Sequence, residues 1–132
     1  MDAVHEMALV RSVVDIVLEQ AELSGAAEIR NVHLTIGKGR DVVVPLMEGL
    51  FQHLARGTVA ENAKLIVHTT PLTVRCNRCD CVFPVNVFQR TTWTCPDCGA
   101  EKDYTLNSGM EFTVDRIEAV GRRVAAQAAP IA

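Results

Sequence analysis

Four cysteines stand in two Cys-x-x-Cys knuckles, Cys76-Asn77-Arg78-Cys79 and Cys95-Pro96-Asp97-Cys98, with fifteen residues between them. Two residues between thiolates let one tight turn aim both sulfurs at a single ion. The intervening stretch is long enough for a hairpin that brings the second turn back to the first. This is the spacing of a structural Zn(Cys)4 site. Two other readings compete with it. A pair of disulfides needs an oxidising compartment, and no signal-peptide pattern is present. A redox dithiol of the thioredoxin type sits between a strand and a helix, and neither knuckle is followed by helical periodicity. Four thiolates with no open coordination position make a closed site, so the segment is expected to be scaffold rather than hydrolytic centre. Cys81, two residues past the first knuckle, reads as a small hydrophobe on the zinc hairpin or as a stand-in ligand if metals exchange there.

The metal lobe occupies about residues 72–107, and its own apolar content (Val82, Phe83, Val85, Val87, Phe88, Trp93 and Tyr104) is thin. A lobe of that size cannot stabilise itself by burial alone, and zinc binding at neutral pH, on the order of 10–16 kcal/mol in comparable peptides, fills the deficit. The rest of the chain reads as α+β. From His5 to Ser24, Leu9, Val13, Ile16, Val17 and Gln20/Ala21 recur at three- and four-residue steps, opposite Arg11, Asp15, Glu19 and Glu22. Asn31–Ile36 alternates and predicts a strand. Pro45 opens a second helix with Leu46 or Met47, Leu50, Phe51 and Leu54 on its buried stripe, and Gly57 closes it. Ala63–Thr70 and Met110–Asp115 predict two more strands. The expected architecture is two helices packed on a small three-stranded sheet, with a zinc-ribbon-like lobe inserted. Its boundaries are 1–71 and 108–120 for the α+β domain, 72–107 for the lobe, and 121–132 as a patternless, disordered tail.

Composition narrows the function. A formal charge of −3 gives no global attraction to phosphate backbones or anionic lipid. Inside the lobe, Arg75, Arg78, Arg90 and Lys102 are balanced by Asp80, Asp97, Glu101 and Asp103, so no nucleic-acid footprint is present. No apolar run approaches the roughly 18 residues that cross a bilayer; a cytoplasmic protein without membrane or nucleic-acid partners is expected. No nucleophile constellation, paired carboxylates or phosphate loop appears, so the chain reads as a non-enzyme. Among the four histidines, His33 and His68 fall on strand faces opposite the apolar sets and read as solvated or rim residues. His53 reads as a helix-surface or packing residue. His5 sits beside Glu6 at the start of the first helix, a nitrogen and oxygen donor pair suited to Ni(II) or Cu(II), although an ordinary helix start carries such residues too.

Several segments together carry a family resemblance. They are His5-Glu6-Met7-Ala8-Leu9, Ile36-Gly37, Gly57-Thr58-Val59-Ala60-Glu61-Asn62-Ala63, the two knuckles, and Ser108-Gly109-Met110-Glu111. From Val4 to about Val120 the chain resembles the HypA (and related HybF) nickel metallochaperones of hydrogenase maturation. The resemblance implies a nickel-binding domain with an inserted zinc lobe. It implies nickel at His5 with Glu6 shaping the site, and zinc at Cys76, Cys79, Cys95 and Cys98. It also implies a nickel-handling GTPase and the hydrogenase large-subunit precursor as partners, with urease served by some members. The family begins Met-His-Glu, whereas here Met1-Asp2-Ala3 precede and Val4 holds the initiator's place; a natural start at a GTG codon for Val4 would restore the family pattern. Val42-Val43-Val44 makes the loop after the first strand more apolar than is usual in the family, and Asp41 is the only candidate carboxylate ligand there. A zinc-ribbon interaction adaptor without nickel transport is the alternative function. Exposed strand edges in so small a domain permit a homodimer.

Overall fold

The computed structural model describes residues 3–120 and 122–124. Its elements run α1 (Ala3–Ser24), β1 (Ile29–Gly37), α2 (Val44–Leu54), β2 (Lys64–Thr70), β3 (Thr73–Cys76), β4 (Val82–Pro84), β5 (Tyr104–Ser108), β6 (Phe112–Ala119) and β7 (Arg122–Val124). They form two compact units. The first takes the described residues up to Thr35, Asp41–His68, and those from Phe112 onward; the second takes Ile36–Arg40 and Thr69–Glu111.

In the first unit a four-stranded sheet has the order β2-β1-β6-β7. Helix α1 packs on α2 and on β6. Its inward stripe (Leu9, Val10, Val13, Val14, Val17 and Ala21) is buried, as are Met47 and Phe51 of α2 and Val32, Leu34, Val114 and Ile117 of the sheet. The alternation in β1 and the three- and four-residue steps in α1 therefore converge on one core. Gly25 (φ 69°) and Gly57 (φ 79°) stand in the left-handed region just beyond the two helices, where a residue without Cβ is tolerated best.

The sheet has one strand more than the three expected. Arg122–Val124 pairs antiparallel with β6 in the register Ile117↔Val124, Glu118↔Arg123 and Ala119↔Arg122. Three residues joined by backbone bonds need no alternating pattern, which is why periodicity did not reveal them. The remainder of the expected tail, residues 121 and 125–132, lies outside the described residues.

In the second unit β3 is central in a three-stranded antiparallel sheet of order β4-β3-β5, with Val74 opposite Phe83 on one side and Leu106 on the other. Its core is Val74, Cys76, Phe83, Val85, Cys95 and Ala100, with Leu72, Cys81, Trp93 and Tyr104 packed against it. Of the apolar residues counted towards this lobe from sequence, Val82, Val87 and Phe88 are exposed instead. Two glycines set the close packing beside the lobe. A Cβ on Gly37 would fall 2.1 Å from the Gly109 carbonyl, and one on Gly109 (φ 111°) would fall 2.4 Å from the Leu72 Cα. Hydrogen bonds from Gly37 N–H to Glu111 O and from Gly39 N–H to Gly109 O (2.8 and 2.7 Å) lock the approach.

Candidate metal centres

The two knuckles are built alike. In the first, Asp80 N–H donates to Cys76 O and Cys76 N–H donates to Cys81 O, at 2.9 and 2.8 Å. In the second, Gly99 N–H donates to Cys95 O and Cys95 N–H donates to Ala100 O, at 3.0 and 2.9 Å. Asp80 (φ 62°) and Gly99 (φ 74°) take the left-handed turn that reverses each knuckle; glycine, and next to it aspartate, is suited to that conformation. The Arg78 amide also points at Cys76 Sγ, 3.4 Å away.

These turns bring the four sulfurs of Cys76, Cys79, Cys95 and Cys98 within 4.8 Å of one another. Cys76 Sγ lies 3.6 Å from Cys98 Sγ, and Cys79 Sγ lies 3.5 Å from Cys95 Sγ. Those separations approach the edge of about 3.8 Å of a tetrahedron with metal–sulfur bonds of about 2.3 Å, so the donor set fits a zinc ion. All five cysteines are free thiols, those of Cys76 and Cys95 buried. Backbone donors around Cys98 and Asp97 lower the Cys95 thiol to about 6, the value of a group ready to act as thiolate. At Cys79 the Cys81 amide lowers the pKa, but the hydrogen bond to Cys95, burial and the neighbouring thiols push it up to about 12. A cluster of this kind holds protons that a bound cation displaces. Cys81 is half-buried beside the cluster and its thiol is raised to about 11, with burial and Asp97 as the leading causes.

The second sequence-derived site lies at the head of α1. His5 stands in the helix backbone, and its side chain lies outside the described residues. Glu6 is fully buried. Its Oε2 accepts the Val43 amide at 3.0 Å, and its Oε1 has no partner among the described residues. Val43 is the N-cap residue of α2, whose first turn has no acidic residue of its own. The α1 side chain therefore accepts the N-cap amide of α2, which has no acceptor within that helix. Asp41 is exposed, with φ 53°.

One polar cluster was missed from sequence. His33 is buried rather than solvated, and its Nε2 lies 2.6 Å from Glu118 Oε1. Strand alternation gives the face but not what covers it; here residues from β2 and β6 close over the ring. Thr35 belongs to the same face and donates to Asp115 at 2.5 Å. His53 is exposed on α2. Among the described residues no helix is long and apolar enough to cross a membrane.

Comparison with known proteins gives a single answer. A family model described as hydrogenase/urease nickel incorporation metallochaperone HypA matches residues 4–119. The hydrogenase maturation factor HypA of Lawsonia intracellularis is 30% identical over 115 residues, covering 86% of this chain and 98% of that protein. That of Geotalea daltonii is 35% identical over 116 residues, covering 88% and 99%. Two solution structures share the fold. One of a HypA protein has a TM-score of 0.66 at 22% identity, covering 90% of this chain and 98% of that one. The nickel metallochaperone HypA of Helicobacter pylori has a TM-score of 0.59 at 22% identity, covering 86% and 96%.

Proposed function

The chain belongs to the HypA family of nickel-incorporation metallochaperones, and from that premise we propose that it binds Ni(II) reversibly through His5 and Glu6 and delivers it during maturation of nickel–iron hydrogenase. The observation that carries the reading is Glu6: a fully buried carboxylate in the first turn of α1, next to His5, with one oxygen lacking a partner among the described residues. A buried carboxylate oxygen without a donor is costly unless a charge or hydrogen bond meets it. Imidazole nitrogen and carboxylate oxygen suit Ni(II). The work is therefore carriage rather than catalysis.

Zinc is the proposed resident ion of the second unit, where Cys76, Cys79, Cys95 and Cys98 would hold it and it would cross-link the two knuckles. The residues around it do the rest. The paired amide-to-carbonyl bonds fix each knuckle, and Trp93 and Tyr104, with ring centroids 5.2 Å apart, pack on the core. The reading includes a nickel-handling GTPase and the hydrogenase large-subunit precursor as the partners of delivery, and a cytoplasmic place of work.

The test is a calorimetric Ni(II) titration of the zinc-loaded protein beside His5→Ala. Binding of nickel by the parent, with the tighter component removed in the variant, is the expected outcome. Equal binding by both would overturn the role of His5, and no binding by either, even when the chain is started as Met at position 4, would leave the zinc-ribbon adaptor as the function.

A further inference from the structure

On the sheet face turned away from the helices, three strands contribute to one line of side chains. His33 of β1 reaches Glu118 of β6 through Nε2 (2.6 Å) and His68 of β2 through Nδ1, which lies 3.5 Å from His68 Nε2. The two rings are within 10° of parallel, with centroids 5.7 Å apart. The nitrogen gap plus the two ring radii accounts for nearly all of that separation. The rings thus meet edge to edge, nitrogen facing nitrogen, and not face over face.

We infer that His33 and His68 form a second metal site, on the outer face of the sheet, for a borderline divalent ion such as nickel, copper or zinc. Four features support it. First, a neutral His33 that donates Nε2–H to Glu118 is left with its lone pair on Nδ1, the atom that faces His68; a carboxylate behind a ligating imidazole fixes the tautomer and strengthens the donor. Secondly, Glu118 is itself held, by Arg116 Nε and Nη2 at 3.3 and 3.2 Å and by Asn31 Nδ2 at 3.4 Å. Thirdly, 3.5 Å is long for a nitrogen–nitrogen hydrogen bond, so little is lost when an ion replaces it. Fourthly, an ion at the usual ~2.0–2.1 Å from both nitrogens sits just off the line between them with an angle of about 115–120°, near the tetrahedral value.

His33 is buried and preset, whereas His68 is exposed on the edge strand and can turn its ring towards the ion. Water completes the coordination on that side. The charged groups that face the pair are Arg116 and Glu118, both from β6 and in contact with each other, and Arg116 Nη2 also lies 3.2 Å from His33 Nε2, the nitrogen that does not face His68. They offset, so the approaching cation meets no net positive charge. The chemistry is that of two imidazoles, which selects nickel, copper and zinc over magnesium and calcium.

This inference does not depend on nickel binding at His5, and the experiment removes that site. Ni(II) is titrated calorimetrically into the zinc-loaded full chain carrying His5→Ala, with bound zinc measured before and after. The expected result is residual binding that disappears on adding His68→Ala, persists with His53→Ala, and weakens about tenfold or more with Glu118→Gln. Imidazole nitrogen NMR signals of His33 and His68 should broaden first as paramagnetic nickel enters. Absence of residual binding, or residual binding that survives His68→Ala or is removed by His53→Ala, overturns the site. Because His68 is exposed, its variant keeps the fold, which circular dichroism checks.

Discussion

The Glu6 carboxylate of α1 accepts the amide of Val43, 37 residues away, at 3.0 Å, and so closes the N-terminus of α2 from a different helix. A glutamate near the chain's start thereby couples the proposed nickel site to the α1–α2 packing. Its two oxygens have different duties, one structural and one without a partner among the described residues.

Substitutions at Glu6 should separate those duties. Glu6→Gln retains a carbonyl oxygen for the Val43 amide, so the urea midpoint should move by no more than about 1 kcal/mol equivalent. Glu6→Ala strands that amide and empties buried space, and should cost about 1–3 kcal/mol. Nickel affinity should fall in both. Nickel binding by Glu6→Gln equal to the parent's would show that the free oxygen is not a ligand.

The two glycines Gly37 and Gly109 should resist replacement. A methyl group at Gly37 meets backbone carbonyl atoms, which cannot swing aside as a side-chain end could. Gly37→Ala and Gly109→Ala are each expected to destabilise by about 2 kcal/mol or more, since both force backbone apart where hydrogen bonds close the approach. Gly49→Ala, with open space around its Cβ in the middle of α2, is the control and should stabilise slightly. Thermal melts of the three variants decide it, and a Gly37→Ala melt matching the parent would refute the contact.

Much of this arrangement could be read before any coordinates. The knuckle spacing is local and brings the four sulfurs together, and the periodicity of α1 gives Leu9, Val13, Val17 and Ala21 of its buried face but not Val10 and Val14, while Ile16 is half-buried. What escaped depends on partners distant in sequence. His33 looked solvated because alternation places it opposite Val32 and Leu34, yet His68 and Glu118, 35 and 85 residues away, cover it. Hydropathy alone counts Val82, Val87 and Phe88 as core, yet Val82 alternates with buried Phe83 on β4, and Val87 and Phe88 form the tip of a turn closed by Gln89 N–H to Asn86 O. Of the glycines in Ile36-Gly37 and Ser108-Gly109, the first leaves no room for a Cβ against the Gly109 carbonyl and the second none against Leu72.

The Glu118 carboxyl is held below its ordinary 4.5, first by the hydrogen bond to His33 and also by Arg116 and Asn31. A depressed folded-state pKa means that the ionised group favours folding. That contribution is complete above the ordinary value and is lost as pH falls through the lower, folded one. The urea midpoints of the parent and Glu118→Gln should therefore differ at pH 7 and converge as pH falls below about 4.5. Glu111, lowered chiefly by the hydroxyl of Thr70 and further by the amides of its own turn, should behave alike. A gap that stays constant down to pH 3 would sink the assignment for Glu118.

Removing the metal should unmake the second unit and spare the first. Two of the six residues in the core of that unit, Cys76 and Cys95, are themselves proposed ligands, which leaves Val74, Phe83, Val85 and Ala100 to hold three short strands. Apolar burial on that scale does not offset the conformational entropy of ordering the lobe, whereas zinc contributes on the order of 10–16 kcal/mol in comparable sites. The first unit keeps its own core in Val10, Val17, Leu34, Phe51 and Ile117, none of which touches the ion. Chelation at neutral pH, or Cys95→Ser, should collapse the amide NMR dispersion of residues 73–108 while the amides of α1 and β1 stay dispersed. Zinc returned to the chelated protein should restore the spectrum, and to the Cys95→Ser chain only in part. A lobe that remains dispersed without metal would show that the four thiols are not its cross-link.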